Sequence, residues 1–404
     1  MGTFKEAIIR EKEEQLPYLI NMAITNAIGI KTYQKIQEYF PTPKSFYEAP
    51  IAKIENLKLL SHERLVKLEE ARRTVNPLRE FERLNRKQIK FTFIDAPDYP
   101  RRLKELKDAP PFIFYIGKLP EETRATISVV GARECSVYGM NVATRLGELI
   151  SSYGVSLISG MARGIDSISQ LSAVNAGGYS LAILGGGVEH IYPKESRILY
   201  DRLCEDGGVM SEIYPSTVPQ KAFFAQRNRL ISGYSDAVCV VEAKEKSGTL
   251  ITVDCALDQG KEVFAVPGRI SDITSFGTNE LIRQGAGMIT DIDGFLEDFS
   301  LRYCKATNTN NLGTGINILY KEETENNLIR NLNKNEIRVI RAMDENSFTA
   351  EQLSETLLLP AYEILSLCIS LTQKALLKNV GAGRFVPMQK AIDLKNFMIK
   401  NATC

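Results

Sequence analysis

Three segments of this chain place glycine, arginine and hydroxyl residues where a strand-like apolar run gives way to a helix-like one. Gly131-Ala132-Arg133, followed by Tyr138-Gly139, closes the apolar run 127–130. Ser159-Gly160-Met161-Ala162-Arg163-Gly164-Ile165-Asp166 closes the run 155–158, and Lys246-Ser247-Gly248-Thr249-Leu250-Ile251-Thr252 follows 237–241. Such combinations suit an anion. Glycine lets the backbone approach closely, free N–H groups at a helix start point toward negative charge, and arginine adds a two-pronged contact. Asp166 is expected to cap the helix that follows it, and the hydroxyls of Ser247 and Thr249 either to cap a helix or to hold an anion. A further turn, Gly185-Gly186-Gly187, follows the run 181–184. One such turn has an ordinary steric explanation, but two successive strand–Gly–Arg loops favour phosphate binding.

Tyr192-Pro193-Lys194 comes next, then Phe223-Phe224-Ala225-Gln226-Arg227-Asn228-Arg229 at the start of a helix-like stretch. Arg227, Asn228 and Arg229 could contact a phosphate, or the arginines could pair with carboxylates inside the fold; the sequence leaves both open. Tyr138, Tyr192, Tyr214, Phe223 and Phe224 lie near these loops, where an aromatic face could stack on a base. Other reagents are missing. Neither of the first two loops is Gly-x-Gly-x-x-Gly, and there is no Walker A Gly-Lys-Ser/Thr or Gly-x-Ser-x-Gly elbow. With only two histidines, His62 and His190, and no His/Cys cluster, neither a zinc site nor any other metal or cofactor is expected.

The elements that must position these loops follow a strand–helix rhythm. Apolar runs at 127–130, 155–158, 181–184, 208–210, 237–241, 263–266 and 288–289 alternate with helix-like segments such as 139–153, 165–176 and 249–259. That alternation predicts an α/β fold with a mostly parallel sheet covered on both faces. Ligands of such sheets lie beyond the carboxyl ends of the strands, where the Gly, Arg and Ser residues accumulate. Before this region, residues 15–75 read as short helices, then a helix of alternating charge runs to about residue 84. Two strands follow, at 91–94 and 112–117. Residues 305–335 read as an Asn-rich linker. Beyond it, helices at 336–343, 349–355 and 360–371 and a hairpin over 375–387 form a winged-helix-like order. The expected domains are therefore a helical 1–85, an extended Rossmann-like 86–304, the linker, and a winged-helix-like 336–404.

The 404 residues exceed what one core usually organises. The net charge of +1 is unevenly spread. Residues 1–120 hold 22 Lys/Arg against 16 Asp/Glu, a surplus of 6, whereas 121–304 hold 16 against 23, a deficit of 7. Any anion site in the middle of the chain must therefore be local. Seven scattered cysteines without a Cys-x-x-Cys pair argue for reduced thiols. The charges at Lys5, Glu6, Arg10, Glu11 and Lys12 do not suit a signal peptide, and no apolar window is long enough to span a membrane. A cytoplasmic protein is expected.

Gly131-Ala132-Arg133 with Tyr138-Gly139, the run 159–166, Tyr192-Pro193, Arg227-Asn228-Arg229, Ser247-Gly248-Thr249-Leu250-Ile251-Thr252 and Pro267-Gly268 stand in the order and spacing of the DNA-processing DprA (Smf) family. The resemblance is dense over 126–290. The N-terminal helices look like that family's sterile-alpha-motif or helix-hairpin-helix-like domain, and the C-terminus like its winged-helix appendage. It implies an extended Rossmann-like core with both appendages, homodimerisation around 279–282, and binding of single-stranded DNA without sequence preference. It also implies loading of the RecA recombinase during natural transformation, with no catalytic residues. By that carry-over Arg133, Arg163 and Lys194 look like backbone-contacting residues; together with the loops read above, the expected phosphate-binding residues are Gly131, Arg133, Ser159, Gly160, Arg163, Gly164, Lys194, Arg227, Asn228, Arg229, Ser247 and Thr249. One departure is Gln170, which stands where the family usually has His.

Two other readings compete. The same broad fold resembles nucleoside monophosphate phosphoribohydrolases, whose signature is Pro-Gly-Gly-x-Gly-Thr-x-x-Glu. Here Thr252 falls at the Glu position, and breaking a glycosidic bond needs a carboxylate there. A winged-helix regulator of duplex DNA would need donors on the helix 360–371, which carries Glu363 and no Lys or Arg.

Overall fold

The computed structural model describes residues 12–26, 28–303, 329, 332–343, 348–374, 376–381, 383–387, 391, 394, 395 and 398. They divide into two compact units, Met1–Thr307 and Asn308–Cys404. The expected linker, the charged first eleven residues and Cys304 lie outside or mostly outside the described residues.

Among the described residues the larger unit opens with the helices α1 (Lys12–Ile24), α2 (Ile30–Tyr39), α3 (Pro43–Glu48), α4 (Ile51–Asn56), α5 (His62–Thr74) and α6 (Pro77–Arg86). The helix of alternating charge expected to reach residue 84 is α6. Pro77 has no N–H to continue α5, and the Asn76 side chain accepts from Arg79 N–H at 3.1 Å to start α6 afresh. Leu19, Tyr33, Ile36, Phe46 and Ile54 are fully buried and join one apolar cluster with sheet residues Phe112, Phe114 and Leu181. The helices are thus packed onto the α/β core.

That core is a nine-stranded sheet, ordered β1-β2-β6-β5-β4-β3-β7-β8-β9. Its strands are β1 (Lys90–Phe93), β2 (Phe112–Gly117), β3 (Thr126–Val130), β4 (Ser156–Ser159), β5 (Ser180–Ile183), β6 (Gly208–Ser211), β7 (Ala237–Val240), β8 (Glu262–Ala265) and β9 (Gly287–Met288). The pairs from β6 to β9 are parallel, and β1 and β2 add an antiparallel edge. Both faces are covered by α7 (Arg101–Lys104), α8 (Val137–Ile150), α9 (Ile165–Asn175), α10 (Arg197–Asp206), α11 (Lys221–Tyr234), α12 (Gly248–Asp258), α13 (Phe276–Arg283) and α14 (Ile292–Tyr303). This explains the continuous apolar character of the central strands: every residue of β3, β4, β5 and β7 is buried. The start of β3 is pinned by Asp236, whose carboxylate accepts from Thr126 N–H at 2.8 Å and Thr126 Oγ1 at 3.0 Å and pairs with Arg102 at 3.1 Å.

The smaller unit holds α15 (Lys334–Ala342), β10 (Phe348–Thr349), α16 (Ala350–Leu357), α17 (Ala361–Gln373), β11 (Leu377–Gly381) and β12 (Arg384–Pro387). Its three strands form an antiparallel sheet, β10-β12-β11. Val339, Ile340, Leu353, Ile364, Leu371 and Phe385 make a separate core. Buried Glu336 caps α15 through Asn333 N–H at 2.8 Å and pairs with Lys374 at 2.8 Å. The three helices and the hairpin match the expected segments, while the two-residue β10 was not anticipated. No single helix among the described residues is long and apolar enough to cross a membrane.

Helices α8 and α9 lie so close that a Cβ on Gly147 would stand 2.3 Å from Ser169 O. Gly147→Val should overpack this contact and lower stability by about 1–3 kcal/mol. A urea melt that matches wild type would show that the two helices can separate without cost.

Candidate nucleic-acid interface

The chain leaves β3 toward β4 on one side of the sheet and leaves β7 toward β8 on the other, although β3 and β7 are neighbours. The loops at their carboxyl ends must diverge, and a crevice opens between them. A cavity of about 730 Å³ occupies that place. Gly131, Ala132 and Arg133 line it from the β3 loop, Lys244, Lys246 and Ser247 from the β7 loop, and Lys221, Phe224 and Asn228 from α11.

Its wall is held by backbone contacts that the sequence prepares. Gly164 has φ +80°, and a Cβ there would meet Ala132 O at 2.3 Å. Only glycine lets the β4 loop cross so near the β3 loop, and Ile165 N–H then donates to Ala132 O at 3.2 Å. Thr249 Oγ1 donates to Gly131 O at 3.0 Å, while Ser247 Oγ accepts from Thr249 N–H at 3.2 Å and caps α12. Of the two roles open to these hydroxyls, capping and bracing account for both. Arg133 and Arg163, carried by the crossed loops, are exposed and make no ion pair among the described residues.

Four of the expected phosphate-binding residues are turned inward. Ser159 Oγ donates to Val129 O at 2.6 Å, and Gly160 gives its N–H to Asp166 at 3.2 Å. Arg227 is buried and donates through Nη1 to Gly160 O at 2.8 Å and to Ile183 O, tying the ends of β4 and β5. Arg229 pairs with Glu212 at 2.5 Å and Asp108 at 3.1 Å. Apart from Arg229 Nη1, the contacts of these residues run to protein neighbours, which shifts them from phosphate contact in this cavity to support. Lys194 is exposed on a short turn but does not line the cavity, and neither do Arg163 and Gly164. Asn228 lines it half-buried.

Asp166 does not cap α9, whose N-cap is Gly164 without a side-chain bond. The carboxylate instead turns under the loop to Gly160 and faces Arg227. Burial pushes the Asp166 carboxyl up, against the attraction of Arg227, and burial lowers the Arg227 guanidinium to about 10. Gln170 completes the support. Its amide oxygen accepts from Met161 N–H at 3.0 Å, and its nitrogen donates to Ser180 Oγ at 3.0 Å and Leu181 O at 3.1 Å. Met161 is held at φ +53° by this bond. The departure from His is therefore a fully satisfied packing residue beneath the loop.

Two cations were missed. Lys221 opens α11, and Lys244 stands two residues before Lys246 in a Lys-Glu-Lys run that looks like an ordinary solvated stretch. Lys244 has only a long 3.9 Å contact to exposed Glu134. Buried Glu242 was missed as well; it accepts from Ser136 N–H at 2.9 Å, Ser136 Oγ at 2.5 Å and Thr274 Oγ1 at 3.2 Å, fixing the start of α8. Of the aromatics, Tyr192 and Phe224 both line the cavity, with ring centroids 5.2 Å apart. Tyr214 is core, bonded to Glu80, and Tyr138 donates to Pro267 O at 3.0 Å. Among the described residues no group of three His, Cys, Asp or Glu side chains could hold a metal ion.

Residues 90–300 match the family model described as DNA recombination-mediator protein A. The chain is 40% identical over 215 residues to DNA processing protein DprA of Bacillus subtilis, covering 53% of this chain and 72% of that one. It is 32% identical over 297 residues to Protein Smf of Borreliella burgdorferi, covering 73% and 87%. The X-ray structure of DNA processing protein A from Streptococcus pneumoniae aligns with a TM-score of 0.59 at 29% identity, over 71% of this chain and 97% of that one.

Arg227→Ala should leave the carbonyls of Gly160 and Ile183 without their donor and remove a positive charge that favours ionised Asp166, at a cost of about 1–3 kcal/mol. Because burial raises the folded-state pKa of Asp166 above its unfolded value, the variant's stability is retained at low pH and lost as pH rises through that folded value. Urea melts should therefore show a smaller deficit at pH 5 than at pH 8. A pH-independent deficit would remove Asp166 from the account.

Proposed function

The chain belongs to the DNA recombination-mediator protein A family, and on that premise we propose that it binds single-stranded DNA through the crevice between β3 and β7, without preference for sequence. The observation that carries this reading is the convergence of Arg133, Lys221, Lys244 and Lys246 on one open cavity whose remaining wall includes Tyr192 and Phe224. Cations neutralise phosphates, and aromatic faces accept any base, each stack contributing about 1–3 kcal/mol. The domain's acidic balance makes such local cations necessary. Arg163 and Lys194 extend the same exposed basic path outside the cavity.

The rival phosphoribohydrolase reading finds no reagent where it needs one. Thr252 lines the cavity at the position that would carry the glutamate, and Asp166 is occupied with Arg227 and Gly160. The chain is read as a binding protein with no catalytic residue. Its further roles, from the family resemblance, are loading of RecA onto the bound strand during natural transformation and action in the cytoplasm. The smaller unit is read as a winged-helix-like protein-contact element. Homodimerisation is placed around 279–282. Ile270, Ile273 and Phe276, just before that stretch, are 100%, 74% and 53% exposed, as an apolar surface awaiting a second copy would be.

Each lost phosphate contact should flatten the log–log salt dependence of single-strand binding by about 0.7. Arg133→Ala/Arg163→Ala should therefore weaken binding of dT oligomers and reduce the slope by about 1.4; unchanged affinity and slope would refute the assignment. Incubation of wild type with nucleoside monophosphates should release no free base. Sedimentation should show a dimer at micromolar concentration and a monomer for Ile273→Asp, and a monomeric wild type would end the dimer reading.

A further inference from the structure

A second cavity, of about 620 Å³, lies between the N-terminal helices and the α/β core. Three cations line it from separate parts of the chain: Lys31 on α2, Arg64 on α5 and Lys107 on the loop before β2. All three are exposed, and none makes an ion pair among the described residues. The first turn of α2, Ile30 to Thr32, also lines it, and Gly29 at its N-cap supplies no side chain to the free N–H groups. Asp108, Glu212 and Arg229 also line it. Arg229 pairs with both carboxylates, at 3.1 and 2.5 Å, and keeps Nη1 without a partner.

We propose that this cavity is a second phosphate-binding site, occupied by the backbone of the same single strand that the β3–β7 crevice holds. The proposal deepens the single-strand reading and rests on it for the identity of the polymer. Like charges repel when gathered, and the cations of this lining, Lys31, Arg64, Lys107 and Arg229, outnumber the carboxylates Asp108 and Glu212 by two, a local excess that attracts an anion. The charge distribution agrees: residues 1–120 carry 22 Lys/Arg against 16 Asp/Glu, whereas 121–304 carry 16 against 23. A strand that left the first crevice would find its strongest attraction on the N-terminal side. A free nucleotide offers the same phosphate chemistry and is the other source to be distinguished.

The test uses the full chain with Lys31→Ala/Arg64→Ala/Lys107→Ala, three exposed truncations, checked by thermal melting against wild type. A separate Arg133→Ala/Lys244→Ala variant removes cations of the first crevice, and the two sets are then combined. Binding of a dT oligomer long enough to span both sites is titrated across salt. The triple variant is expected to lose about 2 from the salt slope, and the combined variant to lose the residual binding that the first-crevice variant keeps. Affinity and slope equal to wild type in a folded triple variant, with a combined variant that binds as the first-crevice variant does, would overturn the proposal. Should the triple variant lose binding while the first-crevice variant does not, the second site stands and the first assignment fails. Binding of dTMP at millimolar concentration to the first-crevice variant, lost in the combined variant, would assign the site to a free nucleotide and overturn the strand assignment. Absence of dTMP binding with retained oligomer binding supports the strand.

Discussion

The close crossing of two loops governs the interface. Where the β4 loop passes over the β3 loop, backbone meets backbone at Gly164 and Ala132, with no room for a side chain. That crossing sets the wall of the crevice. It is sustained by two buried charged residues, Asp166 accepting from Gly160 N–H and Arg227 donating to the carbonyls of Gly160 and Ile183. Gln170 ties the same loop to β5, accepting from Met161 N–H and donating to Ser180 Oγ and Leu181 O. Exposed charge at the crevice thus depends on buried charged and amide groups beneath the loops.

This division of labour explains what the sequence could and could not convey. The parallel sheet was legible because strands buried on both faces must be apolar throughout, and their turns must carry glycine. Strand ends fell within a residue or two of their expected places, as at 127–130 against Thr126–Val130. The start of α6 follows from Asn76-Pro77, which holds both a cap and a stop. The two-residue β10 is too short to show any periodicity.

The site was legible only in outline. Arg133 follows the glycine turn after β3 and Arg227 lies within α11, and nothing local to either tells which faces outward. Their orientation is decided by partners distant in sequence: Arg227 meets the carbonyls of Gly160 and Ile183, whereas Arg133 meets none. Glu242 illustrates the same limit. A glutamate at the end of a strand reads as solvated, yet here it is sealed under the start of α8 by Ser136 and Thr274. Lys244 is its near neighbour and points the other way, into the crevice.

The bracing of Thr249 against Gly131 has one more consequence. With these hydroxyls and the Gly131 carbonyl already engaged, the backbone of the crevice is braced before any ligand arrives. For the single strand proposed above, the ordering cost of association then falls on the polymer and on the exposed side chains of Arg133, Lys221, Lys244 and Lys246, while the frame that carries them stays as it is.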